Sequence, residues 1–511
     1  MTVNRNTEQQ LALDQIQGDI LVGLQKAAQG FVGFTIADVV RFKRFLRGLH
    51  LTTTRDAIQA QDKIDAFRLN GGTGLLDIRG VNIAFSFSGL HKLGISGINQ
   101  IQDGAFKQGL AKRSVSLGDP PTGIASAPDW LVGNGVGALD GLLILTGRDN
   151  ATVSAMLHDL DMAAGSGTWV PFYVGNGNTR PGKEHGHEHF GFLDGVSQPA
   201  VRGKISDFFP TKQFLDPGRN ASDPNQGLPG ADLHWPGEFV FGYPKQDPTD
   251  IEAVGQIADG GLPWMKNGSY MVFRRLEQLV PEFQATVKTK AVTLGVTADV
   301  LAARMVGRFP SGAPVSLTQD VDVSALGGDP MENNKFEFGD DPDGQKCPYA
   351  AHIRKSYPRN DITPAATGTT DEQQRGSSEA DTQTHRVMRR GIPFGTEVQA
   401  GESLHAKTTH SRGLMFVCYQ TSIENQFEFI IRNWVNNRDF AKPATGEDPI
   451  IGQANGANGA DRTRHFAGGK LNFPTGPTGP VTTLETDFVR PTGGGYFFMP
   501  SLNAVQSVLT V

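Results

Sequence analysis

The strongest constraint on the fold is that the chain repeats one strand-then-helix pattern in each half. An apolar run, FVGF at 31–34, leads into IADVVRFKRFLRGL at 36–49, whose apolar residues recur at helical spacing. The same order returns at 269–283, where SYMVF leads into RRLEQLVPEF. A second echo pairs GLLILTGRDNATVSAMLHDL at 141–160 with GLMFVCYQTSIENQFEFIIRNWV at 413–435. Each unit is a buried strand followed by a helix of several turns. Duplicated units of this kind predict an α+β chain of two halves, each an antiparallel sheet with helices on one face. The 63 glycines and 30 prolines argue against an all-helical build.

The expected organisation is a loosely packed tail at 1–12, an N-terminal domain at 13–225 and a C-terminal domain at 226–511. A Gly/Pro/Asp-rich linker falls at 216–237. The polar stretch at 361–385 has almost no large apolar residue and is expected to be a surface insertion loop.

Bulk properties exclude several functions. Net charge is −6, with no basic stripe of the kind nucleic-acid binding needs. No apolar run reaches the roughly 18 residues of a membrane span. The polar start MTVNRNTEQQLALDQ carries no secretory leader, which leaves an intracellular protein or a secreted mature form. Two cysteines, Cys347 and Cys418, make no disulfide framework, and both are expected as buried free thiols.

Three segments carry chemistry. In HEHFGFLDGVSQPAV, Asp194 lies between Gly191 and Gly195 with apolar flanks. Such an acid is either the solvated member of a tight turn or a buried carboxyl with a raised pKa, suited to proton transfer. In CPYAAHIRKSYPR, His352 follows two alanines; it is either an exposed imidazole or a ligand whose neighbours must be small. RVMRRGIPFGTEV supplies Arg389 ahead of a Gly-Ile-Pro-Phe-Gly turn.

In this order the three segments resemble the dye-decolourising peroxidases, in particular the long fungal-type members. IQGDILVGLQK, ARMVGRFPSGAPV, GLMFVCYQ, EDPIIGQ and GGGYFFMPS extend the resemblance from about residue 13 to the C-terminus. It implies a pair of ferredoxin-like α+β halves packed together, the dimeric α+β barrel, in a monomer or dimer. It also implies one haem b per chain, with H₂O₂ oxidising anthraquinone and azo dyes, phenols and other aromatic reductants; Mn²⁺ is a further candidate substrate.

Residue by residue, the resemblance makes His352 the proximal ligand and Asp448 the acceptor for its second ring nitrogen. Asp194 becomes the distal acid/base, and Arg389 the cation that stabilises charge on the departing oxygen. Leu414 and Phe416 would cover the distal haem face, while Gly191 and Gly195 give a porphyrin clearance. Arg308 and Arg354 would meet the propionates, and Trp434 would serve as a surface radical site for bulky dyes. Arg390 is expected to be structural or exposed. Family members often carry Tyr where this chain has Phe394, which rules out a tyrosine route at that position.

Two other clusters carry alternatives. His185, His187, Glu188 and His189 form either a metal tract, as in a colourless metal-dependent hydrolase, or polar packing beside the cofactor. Glu337, Asp340, Asp341 and Asp343 offer hard oxygen ligands of the kind Mn²⁺ takes, or a solvated acidic loop.

Overall fold

The structure is a computed structural model that describes residues 11–134, 139–203, 228–251, 253–453, 462–467 and 481–511. The N-terminal half runs β1 (Ala28–Ile36), α1 (Val39–Gly48), α2 (Thr54–Leu69), β2 (Gly80–Phe85), β3 (Gly141–Gly147), α3 (Asn150–Ala164) and β4 (Trp169–Asn178). The helices begin where the sequence supplies caps. Asp38, Thr53 and Asp149 each accept a backbone N–H of the first turn, and Thr53 with Asp56 closes a capping box.

The C-terminal half repeats the order. It runs β5 (Ser269–Gln278), α4 (Val280–Leu294), α5 (Ala298–Val306), α6 (His352–Ser356), α7 (Asp371–Gln383), β6 (Met388–Arg389), β7 (Ile392–Gly395) and β8 (Arg412–Gln420). Two helical segments (Ile423–Phe427 and Ile430–Val435) and β9 (Val489–Met499) complete it.

The pairings among β1 to β9 are antiparallel. In the first half the neighbours run β4–β1–β3–β2; in the second, β6 and β7 both pair with β8, followed by β5 and β9. The first half thus places β1 between its third and fourth strands, and the second, with β6 and β7 together in second place, sets β5 between β8 and β9: the ferredoxin-like arrangement. The halves share one nine-stranded sheet, joined where Phe498 of β9 pairs with Phe85 of β2. The free edges also approach each other. A Cβ at Gly177 of β4 would lie 2.4 Å from Ile392 of β7, so only glycine fits there.

Burial follows the alternation of the strands. One sheet face gathers Phe31, Ile144, Phe273, Met415 and Phe497 from both halves, with the Phe31 and Phe273 rings stacked at 5.0 Å. The other face packs Val32, Phe34 and Phe85 beneath Phe42 and Leu46 of α1. Cys347 and Cys418 are both buried and free, as expected.

The polar stretch at 361–385 is not a loop: 371–383 form α7, opened by a Thr370–Gln373 capping box. Its buried face consists of Ser378, Ala380, Thr382 and Gln383, small or amide side chains that a search for large apolar residues overlooks. Of the expected tail, 1–10 lie outside the described residues. Leu11 is buried, and the Ala12 N–H donates to the Tyr243 hydroxyl at 3.0 Å, so the packed chain starts earlier than expected. The boundary at 225/226 and most of the expected linker also lie outside the described residues. Its described end is structured, with Leu233–His234 pairing in parallel with Ala200–Val201.

Candidate active site

The 186–198 segment is built to hold one carboxylate outward. Glu188 accepts the backbone N–H groups of Phe190 and Phe192 at 2.9 and 2.8 Å, which curls the chain around its own side chain. The Asp194 N–H is tied to Gly186 O and the Leu193 N–H to Pro310 O. Gly191 and Gly195 adopt φ of +100° and +75°, conformations that L side chains rarely reach. Gly195 lines the cavity described below and Gly191 does not. At Gly191 the positive φ sets a backbone requirement of its own.

Arg389 comes to the same place on β6, whose edge is locked to this segment. Gln198 donates to Arg389 O at 3.0 Å and accepts from its N–H at 3.4 Å. The neighbouring Arg390 anchors the turn from behind, donating to Asp19 O and Leu21 O of the N-terminal segment. Arg389 Nη1 then donates to Asp194 Oδ1 at 3.3 Å, and both side chains keep about a third of their surface open, 36% and 33%. Asp194 is thus a cavity-facing acid with a cationic partner, not the fully buried carboxyl that its flanks suggested.

The histidine arrives differently. Ala350 and Ala351 are fully buried, and His352 opens the short helix α6. Its Nδ1 lies 2.7 Å from Asp448 Oδ2. The other oxygen of Asp448 accepts the N–H groups of Ile450 and Ile451 at 2.8 and 3.0 Å, and the residue is completely buried. With Nδ1 donating to a fixed carboxylate, Nε2 is the nitrogen free to act as a ligand.

One cavity of about 310 Å³ joins these groups. Its lining includes Asp194, Arg389 and His352, together with Leu414 and Phe416 two apart on β8 and an apolar wall of Phe190, Phe192, Val306, Ile431 and Ile451. Arg308 lines it as expected, but among the described residues its guanidinium donates to uncharged acceptors: Gly312 O, Asn333 O and Asn334 Oδ1. Burial, with the Arg359 charge adding, pushes Arg308 down to about 9.

Several expectations are corrected here. Arg354 does not reach the cavity: it is 1% exposed, forked onto Asp361 at 2.6 and 2.7 Å, and also bonded to Asp341. In a helix as short as α6, Arg354 points away from the face His352 presents, and internal acids consume its donors. Trp434 is not at the surface. It is 3% exposed, stacked on Phe440 at 5.3 Å and edge-on to His385 and Phe429. An apolar helical segment buried that ring.

Asp341 is spent on the N–H groups of Gln345, Lys346 and Cys347, so the acidic loop does not present four free carboxylates. Among the described residues no group of three or more His, Cys, Asp or Glu is placed to hold a metal ion. In the histidine tract, His189 is buried with Nε2 2.8 Å from Phe394 O, and burial pushes it down to about 4. The His187 ring bonds the backbone of His185 through Nδ1.

Among the polar residues of the cavity, Tyr357, Arg359 and Arg386 were not singled out from the sequence, and Glu188 was named only with the histidine tract. Glu188 sat in the tract read for its histidines, and Tyr357 closes the segment that carries His352. Arg359 and Arg386 carry no local signal. Arg386 Nη1 is buried with no hydrogen-bond partner, and among the described residues no carboxylate lies within ion-pair distance of Arg308, Arg359 or Arg386. A wall with three such cations suits a ligand that brings its own carboxylates. Haem, with two propionates and an apolar ring, fits this wall, the apolar lining and the free Nε2 of His352.

Comparison with known proteins agrees. Residues 15–181 match the family described as DyP dimeric alpha+beta barrel domain, and 329–445 match Dyp-type peroxidase, C-terminal. A dye-decolorizing peroxidase of Mycetinis scorodonius is 35% identical over 98% of this chain and 88% of its own length. One from Auricularia auricula-judae is 34% identical over 98% and 87%. Among solved structures, an ancestral D-type dye decolorizing peroxidase superposes with a TM-score of 0.78 at 36% identity, covering 98% of this chain and all of that one. A dye-decolorizing peroxidase in complex with 2,6-dimethoxyphenol gives 0.76 at 31% identity, with 98% of this chain and all of that one covered. The two matched domains, the full-length relatives and the duplicated fold together make this chain a member of the dye-decolourising peroxidase family.

Proposed function

We propose that this peroxidase holds one haem b through His352 Nε2 and handles H₂O₂ with Asp194 and Arg389, oxidising dyes, phenols and other aromatic reductants one electron at a time. The observation that carries the reading is the pairing of two tethered groups in one apolar cavity, His352 on Asp448 and Asp194 on Arg389. Haem supplies the redox chemistry when bound; the protein's share is to hold it, orient peroxide and move a proton.

Asp448 fixes the imidazole orientation and makes it a stronger donor by accepting from Nδ1. Asp194, held outward by its loop, would accept one proton of H₂O₂ and return it to the oxygen that leaves as water. Arg389 remains cationic throughout and stabilises charge on that departing oxygen. Leu414 and Phe416 narrow the space above the pair and keep bulky molecules out. Arg308, Arg359 and Arg386 would receive the propionates. Mn²⁺ oxidation has weaker support, because Asp341 of the acidic loop is committed to backbone N–H groups.

The test is spectroscopic. Purified protein should show a Soret band, and stopped-flow mixing with H₂O₂ should convert it within one peroxide equivalent. Colourless protein that gains no band on haem addition would refute the reading.

A further inference from the structure

A phenol stands in the cavity wall with a proton acceptor already attached. Tyr357 ends the helix that carries His352, and among the described residues its ring is the only phenol or indole lining the cavity. The other aromatic rings there, Phe190, Phe192, Phe416 and Phe427, are not oxidisable. The Tyr357 hydroxyl donates to Glu379 Oε1 at 3.3 Å and accepts from Gln383 Nε2 at 3.1 Å, both on α7. The Arg386 guanidinium carbon lies 3.2 Å from the ring centre and that of Arg359 5.3 Å.

Taking an electron from a phenol that keeps its proton leaves a radical cation, a far costlier product than a neutral phenoxyl. A base in hydrogen-bond contact opens the cheaper route. Glu379 suits the part. Burial, with Asp232 and Glu337 adding, makes its carboxyl more basic than usual, pushed up to about 8. Glu379 Oε2 and Asp232 Oδ2 are both buried without a hydrogen-bond partner, so the pair has acceptor sites to spare.

We propose that Tyr357 is an oxidisable relay in this site, a role that rests on the haem peroxidase reading. One electron passes from the phenol to the cavity group that peroxide has oxidised, and the hydroxyl proton passes to Glu379 Oε1. The phenolic O–H bond breaks, an O–H bond forms on the carboxylate, and a neutral phenoxyl remains. The step runs through the ionised form of Glu379, whose Oε1 already faces the hydroxyl. An aromatic reductant then returns one electron and Glu379 returns the proton. Proton transfer removes a negative charge beside two guanidiniums, which oppose the change and make the phenoxyl a strong oxidant. A relay to aromatic reductants needs that property.

The test is electron paramagnetic resonance on the haem-loaded full chain, freeze-quenched after H₂O₂, with the Soret change recorded in parallel. The wild type should give a tyrosyl signal whose splitting collapses when ring-deuterated tyrosine is incorporated. Tyr357→Phe should lose most of that signal while the Soret band still responds to peroxide. Glu379→Gln, which keeps the ring and its packing, should lower the radical yield. A normal Soret response with an undiminished tyrosyl signal in Tyr357→Phe overturns the relay alone. If Tyr357→Phe fails to load haem, an undiminished yield in Glu379→Gln overturns it instead. No Soret response in the wild type overturns the haem reading and the relay with it.

Discussion

The two tethered pairs of the cavity differ in how much freedom the fold leaves them. His352–Asp448 is closed at 2.7 Å, its carboxylate has no exposed surface, and two backbone N–H groups hold the far oxygen. Asp194–Arg389 is longer, 3.3 Å, and each side chain keeps about a third of its surface open. The first is a support whose carboxylate is fully committed. The second keeps lone pairs and N–H donors for a reactant. A group that must exchange protons needs that spare capacity, whereas a group that must hold a ligand loses precision by having it.

The largest effect that would break this contrast is at the support. His352→Ala should lose most of the Soret absorbance of purified protein; an unchanged spectrum would remove the histidine from its assigned place. Asp194→Asn should come next, retaining the Soret band while slowing peroxide-driven conversion by about 100- to 10,000-fold in stopped flow. Wild-type kinetics in that variant would mean the open pair is not the working one. Asp448→Asn should cost less, about 10- to 100-fold in haem affinity or turnover, measured by haem titration. A loss as deep as that of His352→Ala would show that the carboxylate does more than orient the ring.

The smallest expected effect is on stability, and it falls on the wall that carries Asp194. His189 and His234 are both pushed down to about 4 by burial, with nearby arginines adding. The unfolded chain protonates these rings near their ordinary value, while the folded chain resists until about 4. Their contribution is therefore fully present above about 6.5 and is lost as the pH falls towards 4. Thermal unfolding across that window should show the midpoint falling with acid, and His189→Gln should flatten part of the slope. An unchanged slope would mean that the ring is not held neutral by the fold.

Much of the site was legible because its chemistry is local. GFLDG, AHIRK and the arginine before Gly-Ile-Pro each carry their functional side chain within a few residues of the glycines, alanines or turn that position it. The duplicated strand and helix periods likewise announced the two halves. Partners that come from far along the chain were harder to read. Whether Arg354 faces the cavity depends on Asp361 and Asp341 reaching it first, and whether Trp434 is exposed depends on Phe440 lying over it. Composition misjudged 361–385 for a related reason: α7 buries small polar side chains, whose burial shows only once the surface they pack against is known.

The sequence by itself determined the α+β duplication and the family and singled out Asp194, His352 and Arg389; their roles, and Asp448 itself, it offered only through resemblance. The tertiary structure decided which of the six arginines considered meet the cavity with no described carboxylate in ion-pair contact, that Tyr357 stands on a carboxylate, and that the sheets of the two halves are one. The reason is physical. Periodicity and capping act over a few residues, but the charge balance of a buried wall is summed over segments hundreds of positions apart.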